Sequence, residues 1–165
     1  MGNAAFLCAG SYSLRHAVQP GGVSVTWRGQ ALAPEQALQF SGARRVFILL
    51  GMNDLALGLE EALENYAALI SNIRKLCPEM EIYIQSVTPI HPDFEGQRLN
   101  NAYLDEMNLR LKSFAAKKGC QYLDIATAMK DKNGALQEQY CSDRQCHLTT
   151  AAVEVWLEKL KEVQG

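Results

Sequence analysis

The stretch that decides the fold lies at residues 45–54 and reads RVFILLGMND. Five consecutive apolar residues run into a glycine, and then Asn53 and Asp54 follow within three positions. A continuous apolar run of this length is typical of a strand buried on both faces of a parallel sheet. Polar residues directly after such a strand lie where open α/β sheets bind their ligands. The stretch therefore predicts a parallel sheet with a functional edge at this point.

Other segments of the chain fit the same architecture. Further strands are predicted at residues 81–87 (EIYIQSV), 121–125 (QYLDI) and 4–9 (AAFLCA). The alternation in residues 23–28 (VSVTWR) fits either another strand or a surface hairpin. Helical periodicity is present in residues 60–76, 99–118 and 149–163. The alternation of strands and helices predicts an α/β fold with a mostly parallel sheet covered on both faces.

Size and charge exclude several classes of protein. The chain has 165 residues, of which 48% are hydrophobic and 21% are charged, and this predicts one domain over residues 1–165 with its own core. The net charge of −2 gives no electrostatic basis for binding nucleic acid. No apolar run reaches the roughly 18 residues that a membrane span needs. The N-terminus lacks the pattern of a signal peptide, and five scattered cysteines are typical of reduced thiols, so we expect a cytoplasmic protein.

The residues after the apolar run allow two interpretations. Gly51 lets the backbone turn sharply without a side chain that would block a ligand. The amide of Asn53 could then stabilise a developing oxyanion. The alternative is a plain turn, because Asn and Asp after Gly often hydrogen-bond to their own backbone.

A second polar cluster precedes the last predicted helix, in the stretch YCSDRQCHLTTAAVEVW. Asp143 lies close enough in sequence to orient the ring of His147, and a histidine is the usual general base near pH 7. Cys141, Cys146 and His147 could instead ligate a metal, but three ligands without a second Cys-x-x-Cys pair make a poor zinc motif. We therefore expect neither a metal nor an organic cofactor.

Taken together, these stretches resemble the SGNH hydrolases, also called GDSL esterases. GMND is similar to the Gly-x-Asn-Asp block of that family, and SDRQCHLT is similar to its terminal Asp/His block. The resemblance implies a three-layer α/β/α sandwich of the flavodoxin-like kind. It also implies that Asn53 is an oxyanion donor, that His147 is the general base and that Asp143 is its partner. Asn53 and His147 are then expected to converge on one substrate.

The sequence departs from the family pattern in the Asp/His block. The family spacing is Asp-x-x-His, whereas here four positions separate Asp143 from His147, and Arg144 stands where the acid is expected. Asp143 can serve only if the loop bulges by one residue. Otherwise a backbone carbonyl would hold the ring.

The nucleophile is the larger departure, because the chain contains no Gly-Asp-Ser. In one alignment residues 4–9 form the opening strand and Ser11 is the nucleophile. In the other, this stretch is the family's second strand, Gly10 donates to the oxyanion hole, and the nucleophile strand is absent from the chain. The second alignment would leave an incomplete sheet, which a homodimer could fill. Ser13 and Ser86 are weaker candidates for the nucleophile, and His91 could touch the substrate.

The sequence thus favours a carboxylic ester hydrolase that acts on a small-molecule substrate. The resemblance implies small acyl esters of sugars or lipids. The alternative is a non-catalytic or truncated domain of the same fold that binds a carbohydrate or another ligand.

Overall fold

The computed structural model of the chain describes residues 4–19 and 24–163. The α-helices are α1 (Leu14–Val18), α2 (Pro34–Ser41), α3 (Leu59–Leu76), α4 (Asn101–Lys117) and α5 (Thr150–Glu162). The strands are β1 (Val25–Trp27), β2 (Gln30–Leu32), β3 (Arg45–Ile48), β4 (Glu81–Gln85) and β5 (Gln121–Leu123). Short 3₁₀ helices lie at Met52–Leu57, Pro92–Phe94, Thr127–Met129 and Glu138–Tyr140.

The chain divides into two compact units, Met1–Ile82 and Tyr83–Gly165, and the division falls within β4. We describe each unit by itself. The expectation of a single domain stays a prediction.

Helices and a hairpin make up most of the first unit. β1 and β2 pair in antiparallel fashion, with Val25 opposite Leu32. Helices α1 and α2 both pack on α3, whose buried face includes Tyr66 and Ile70. The N–H of Glu81 at the start of β4 donates to the carbonyl of Arg44, which joins β4 to the chain entering β3.

The second unit has a parallel strand pair. β4 and β5 run in parallel, with Tyr83 opposite Gln121. Helix α4 packs on β5, and its N-cap is Asn100, whose side chain accepts the N–H of Tyr103. Burial of the apolar face of α4 supplies the favourable free energy, because removing apolar surface from water stabilises the fold. Its buried side chains include Leu104, Met107, Leu111 and Ala115.

The predicted fold class is confirmed. Strands and helices alternate along the chain, and the three strands β3, β4 and β5 form one sheet in that order. The predicted helices at residues 60–76, 99–118 and 149–163 are all present with boundaries shifted by one or two residues. Within the described residues, none of the helices is both long enough and apolar enough to cross a bilayer.

The predicted strand at residues 4–9 is wrong. This segment belongs to neither sheet, and most of it is exposed, including Phe6 at 68%. A segment is part of a sheet when a continuous ladder of backbone hydrogen bonds joins it to a neighbouring strand, and residues 4–9 are not among the described strands. The alternating stretch at residues 23–28 was predicted to be either another strand or a surface hairpin. The structure shows the hairpin, in which β1 pairs with β2. Val23 lies outside the described residues.

Candidate active site

The hairpin loop, residues 141–148, carries both side chains of the predicted Asp/His pair. Cys141 and Leu148 form an isolated antiparallel bridge at its base. One step further in, the N–H of Ser142 donates to the carbonyl of His147 at 2.9 Å. These contacts fold the loop back on itself and bring its two ends together.

The chain then enters α5 through a well-formed cap. Thr149 is the N-cap, and its hydroxyl oxygen accepts the N–H of Ala152 at 3.3 Å. The same hydroxyl donates to the carbonyl of Gln139 at 2.9 Å, and the backbone N–H of Thr149 donates to the carbonyl of Tyr140 at 3.0 Å. The start of α5 and the preceding 3₁₀ helix therefore hold the hairpin loop from one side.

Asp143 and His147 are in direct contact. Nδ1 of the ring lies 2.5 Å from Oδ2 of Asp143. The other carboxylate oxygen accepts the N–H of Gln145 at 2.8 Å and that of His147 at 3.4 Å. The pKa of Asp143 is lowered to about 2, chiefly by the hydrogen bond to the His147 ring. The hydrogen bonds from the backbone N–H groups of Gln145 and His147 lower it further. The carboxylate is therefore ionised at neutral pH.

Contact through Nδ1 leaves Nε2 as the ring nitrogen that can exchange a proton with a substrate. The His147 side chain is 75% exposed and that of Asp143 is 29% exposed. A carboxylate that fixes one ring nitrogen orients the ring and stabilises the imidazolium that forms when Nε2 takes a proton. The pair thus has the geometry of a general base with its orienting partner.

Arg144 explains how the longer spacing still brings the pair together. Its φ angle is +58°, in the left-handed region that side chains other than Gly, Asn and Asp rarely adopt. This one residue reverses the chain direction enough for Asp143 to reach back to His147. The bulge that the sequence required is present, and it lies at the position where the family pattern expects the acid.

In the first unit, Gly51 has φ +127° and ψ −28°, a conformation that strains any residue with a Cβ. The segment it introduces is a 3₁₀ helix, and the Asn53 amide Nδ2 donates to the carbonyl of Tyr12 at 2.9 Å. The Asn53 amide therefore holds the chain before α1, in a backbone contact across 41 positions rather than the local contact of the turn interpretation. An oxyanion would have to use the second N–H of the same amide.

Asp54 has a structural role that the sequence only partly indicated. Its side chain is fully buried, and its two oxygens accept the N–H groups of Leu14 at 2.9 Å and Arg15 at 3.2 Å. These are N–H groups at the first turn of α1, which have no partners within the helix. The turn interpretation had Asp54 bonding to its own backbone, whereas the structure shows that it binds the start of α1.

Gly10 and Ser11 lie together at the centre of a turn. The N–H of Tyr12 donates to the carbonyl of Ala9 at 3.3 Å, and Ser11 is exposed with φ +52°. A Cβ built on Gly10 would meet no atom within 4 Å. The roles of Ser11 as nucleophile and of Gly10 as oxyanion donor stay predictions.

The other polar residues considered as nucleophile or substrate contact are engaged in the fold. Ser13 is buried, caps α1 and lies 3.1 Å from Nδ1 of His16. Ser86 is fully buried, and its hydroxyl oxygen accepts the N–H groups of Ile125 and Ala126. His91 is only 4% exposed, and its ring contacts Glu138 and the N–H of Asp93.

The family model for GDSL-like lipases and acylhydrolases matches residues 8–155. The chain belongs to this family. The match extends over the two polar stretches singled out in the sequence. Among curated proteins, none matches the sequence of this chain at a significant level.

Solved structures share the fold of this GDSL-like chain at low sequence identity. A candidate platelet activating factor from Streptococcus pneumonia is 22% identical, with 78% of this chain and 66% of that chain covered and a TM-score of 0.67. A GDSL-like lipase from Bacteroides thetaiotaomicron is 18% identical, with 78% and 69% covered and a TM-score of 0.62. A carbohydrate esterase of family 3 from Talaromyces cellulolyticus is 12% identical, with 93% and 68% covered and a TM-score of 0.62. The chain spans about two thirds of the length of each of these structures.

A small cavity in the second unit is separate from the Asp/His pair of this GDSL-like domain. It has a volume of about 220 Å³ and lies between α4 and the segment after β5. Its lining consists of Asp105, Asn108, Leu109, Lys112, Tyr122, Asp124, Ala126, Thr127 and Lys130. None of these residues belongs to the hairpin loop. Within the described ranges, no group of three His, Cys, Asp or Glu side chains is arranged to hold a metal ion.

A cluster of charged residues beside the hairpin loop was missed from the sequence. Nε and Nη2 of Arg144 donate to Oδ2 of Asp93 at 2.9 and 2.6 Å, and Nη1 lies 3.6 Å from a carboxylate oxygen of Glu138. Glu138 also contacts Nε2 of His91 at 2.7 Å. Arg144 was considered only as a substitution for an acid, because nothing in the local pattern links it to a carboxylate 51 positions away.

Proposed function

We propose that this chain is a carboxylic ester hydrolase in which His147 acts as general base and Asp143 orients its ring. The observation that carries the proposal is the 2.5 Å contact between Nδ1 of His147 and the Asp143 carboxylate, on an exposed loop. Membership of a family of lipases and acylhydrolases supports the same reaction class. The proposal needs no metal, because the imidazole supplies the proton transfer that ester cleavage requires.

The reaction follows the serine esterase pattern. A serine hydroxyl loses its proton to Nε2 of His147 while its oxygen attacks the ester carbonyl carbon. The tetrahedral intermediate collapses, the C–O bond to the alcohol breaks, and the imidazolium returns its proton to the leaving alkoxide. Water then attacks the acyl-enzyme by the same proton transfers and releases the carboxylic acid. Ser11 is the nucleophile candidate that this chain offers, with Asn53 and the N–H of Gly10 as the predicted oxyanion donors.

We propose small acyl esters of sugars or lipids as the substrate class. Two similar structures carry names of these kinds, a GDSL-like lipase and a carbohydrate esterase. An exposed base on a loop suits a substrate that presents its acyl group at the surface of a larger molecule.

Three observations favour a second candidate, a non-catalytic domain that binds a carbohydrate or another ligand. The sequence has no Gly-Asp-Ser. The segment before Ser11 is not a strand, and the Asn53 amide already donates to a backbone carbonyl. In that case the Asp143–His147 pair would serve as a polar contact for a ligand.

Hydrolysis of p-nitrophenyl acetate, combined with labelling by a fluorophosphonate probe, distinguishes the two functions. The wild-type chain is compared with His147→Ala, Ser11→Ala and the control Arg110→Ala, which changes an exposed ion pair on α4. The hydrolase proposal expects turnover and label in the wild type and the control, and loss of both in His147→Ala. Mass spectrometry of the labelled peptide then identifies the nucleophile. Turnover that persists in His147→Ala would contradict the proposal, and absence of turnover and label in the wild type would favour the binding domain.

A further inference from the structure

The hairpin loop is tied to the segment after β4 by several independent contacts within the second unit. The N–H of His91 donates to the carbonyl of Gln145 at 2.8 Å. The His91 ring accepts the N–H of Asp93 at Nδ1 and contacts Glu138 at Nε2. Both ring nitrogens of this buried histidine are therefore engaged.

Arg144 completes the connection from the other side. Its guanidinium donates twice to one oxygen of Asp93 and also faces Glu138. The pKa of Asp93 lies below its usual value, chiefly because of the hydrogen bond from Arg144. The pKa of Glu138 is also lowered, chiefly by the hydrogen bond to His91. Two side chains that flank the loop, those of Asp93 and Glu138, thus converge on a residue inside it.

The backbone of Arg144 gives this contact its significance. A left-handed φ of +58° is unfavourable for arginine, whereas glycine or asparagine would adopt it readily. An arginine at this position keeps the turn only if contacts elsewhere hold it there. The same turn places Asp143 against His147, so the geometry of the pair depends on a residue that itself is strained.

We propose that Arg144 is a positioning residue, whose ion pair with Asp93 holds the hairpin loop in the turn that brings Asp143 to His147. The inference rests on the proposed function for its effect on the reaction. The Arg144 side chain is 63% exposed, so the contact contributes little to global stability, as is usual for ion pairs at the surface. Its contribution is to the geometry of the loop.

Substitutions at position 144 separate the turn from the ion pair. Arg144→Gly permits the left-handed φ without strain but removes the ion pair that holds the loop in it, and glycine can also adopt many other conformations. Arg144→Lys keeps a positive charge but cannot make the two-fold contact. Asp93→Asn removes the charge of the partner. Arg110→Ala is the matched control, because it breaks another exposed ion pair, with Glu106 on α4.

The kinetic measurement is kcat and KM for p-nitrophenyl acetate. We expect Arg144→Gly to lower kcat about tenfold with KM within twofold of the wild type, because a mispositioned catalytic pair slows the chemical step more than binding. Arg144→Lys is expected to recover part of the loss, and the double variant Arg144→Gly/Asp93→Asn to be no slower than Arg144→Gly alone. Wild-type kcat in Arg144→Gly, or fully additive losses in the double variant, would overturn the proposal.

Amide hydrogen exchange tests the positioning role without any catalytic activity. The N–H groups of Gln145 and His147 both donate to Asp143, so their exchange reports whether the turn is intact. We expect faster exchange at these two amides in Arg144→Gly and in Asp93→Asn, and unchanged exchange within α5. If the wild type hydrolyses no ester but these amides respond as expected, the proposed function fails and the positioning role stands. Unchanged exchange at both amides would overturn the positioning role itself.

Discussion

The two polar stretches, one after β3 and the other before α5, differ in what their side chains do. In the second unit, the carboxylate of Asp143 contacts the ring of His147, and the ring remains 75% exposed. In the first unit, Asn53 and Asp54 contact the backbone: the Asn53 amide binds the carbonyl of Tyr12, and the buried Asp54 carboxylate binds the start of α1. One stretch therefore leaves a titratable group open to solvent, whereas the other uses its polar groups to hold the chain.

This difference separates a reactive arrangement from a structural one. A side chain that contributes to chemistry keeps a polar atom accessible, and removing it changes rate but not stability. A side chain that satisfies buried N–H groups does the reverse, because unsatisfied buried donors cost free energy in the folded state. Substitutions in the two stretches should therefore give opposite signatures.

The largest effect is expected for His147→Ala. We expect kcat/KM for p-nitrophenyl acetate to fall about 10⁴-fold, because the general base is lost. The free energy of unfolding should stay within about 0.5 kcal/mol of the wild type, since the ring is exposed. Steady-state kinetics and urea denaturation measure the two quantities. A large loss of stability in this variant would place His147 among the structural residues and remove the contrast.

Asp143→Asn is expected to have the next largest effect on rate. The amide can still contact the ring, but it cannot stabilise the imidazolium with a negative charge, so kcat should fall about 10²-fold to 10³-fold. Far-ultraviolet circular dichroism serves as the control for folding. A kcat equal to that of the wild type would show that His147 works without a carboxylate partner.

Asp54→Ala tests the structural stretch. Loss of the buried carboxylate leaves the N–H groups of Leu14 and Arg15 without their acceptor, and we expect the free energy of unfolding to fall by about 3 kcal/mol. Asp54→Asn is the matched control, because one acceptor oxygen remains and the loss should be smaller. Urea denaturation measures both variants. Equal stability of Asp54→Ala and the wild type would mean that the first unit does not depend on this contact.

The titration of Asp143 sharpens the comparison further. In the wild type its pKa is about 2, chiefly because of the hydrogen bond to His147, and in His147→Ala it should rise towards the ordinary value of 3.8. Since the folded-state pKa is depressed, the stabilising contribution of this group is present above about pH 4 and is lost as the pH falls through 2. NMR titration of the side-chain carboxyl carbon measures the pKa in both proteins. An unchanged value in His147→Ala would mean that the backbone N–H groups alone hold the carboxylate.

Gly10→Ala is expected to have the smallest effect. A Cβ at this position meets no atom within 4 Å, so the stability should change by no more than about 0.5 kcal/mol. The backbone N–H is retained, and kcat should stay within twofold of the wild type. A marked loss of kcat with unchanged stability would contradict this expectation and would mean that the added Cβ obstructs a substrate.

The sequence by itself determined the features that depend on neighbouring residues. The continuous apolar run of β3 predicted the parallel sheet, and the helical periodicity predicted α3, α4 and α5, the last of them from residue 149, which is the N-cap of α5. The spacing of Asp143 and His147 was also enough to propose their contact. These features are readable because hydrophobic periodicity and helix capping arise from residues within one or two turns of each other.

Only the tertiary structure decided which polar groups remain available. It showed that Asp54 binds the start of α1 across 40 positions, that Arg144 reaches Asp93 across 51 positions, and that residues 4–9 form no strand. Such contacts leave no periodic signal in the sequence, because each depends on how separate segments of the chain pack. The availability of a hydrogen-bonding group is therefore a property of the folded chain, whereas its chemical identity can be read from the sequence.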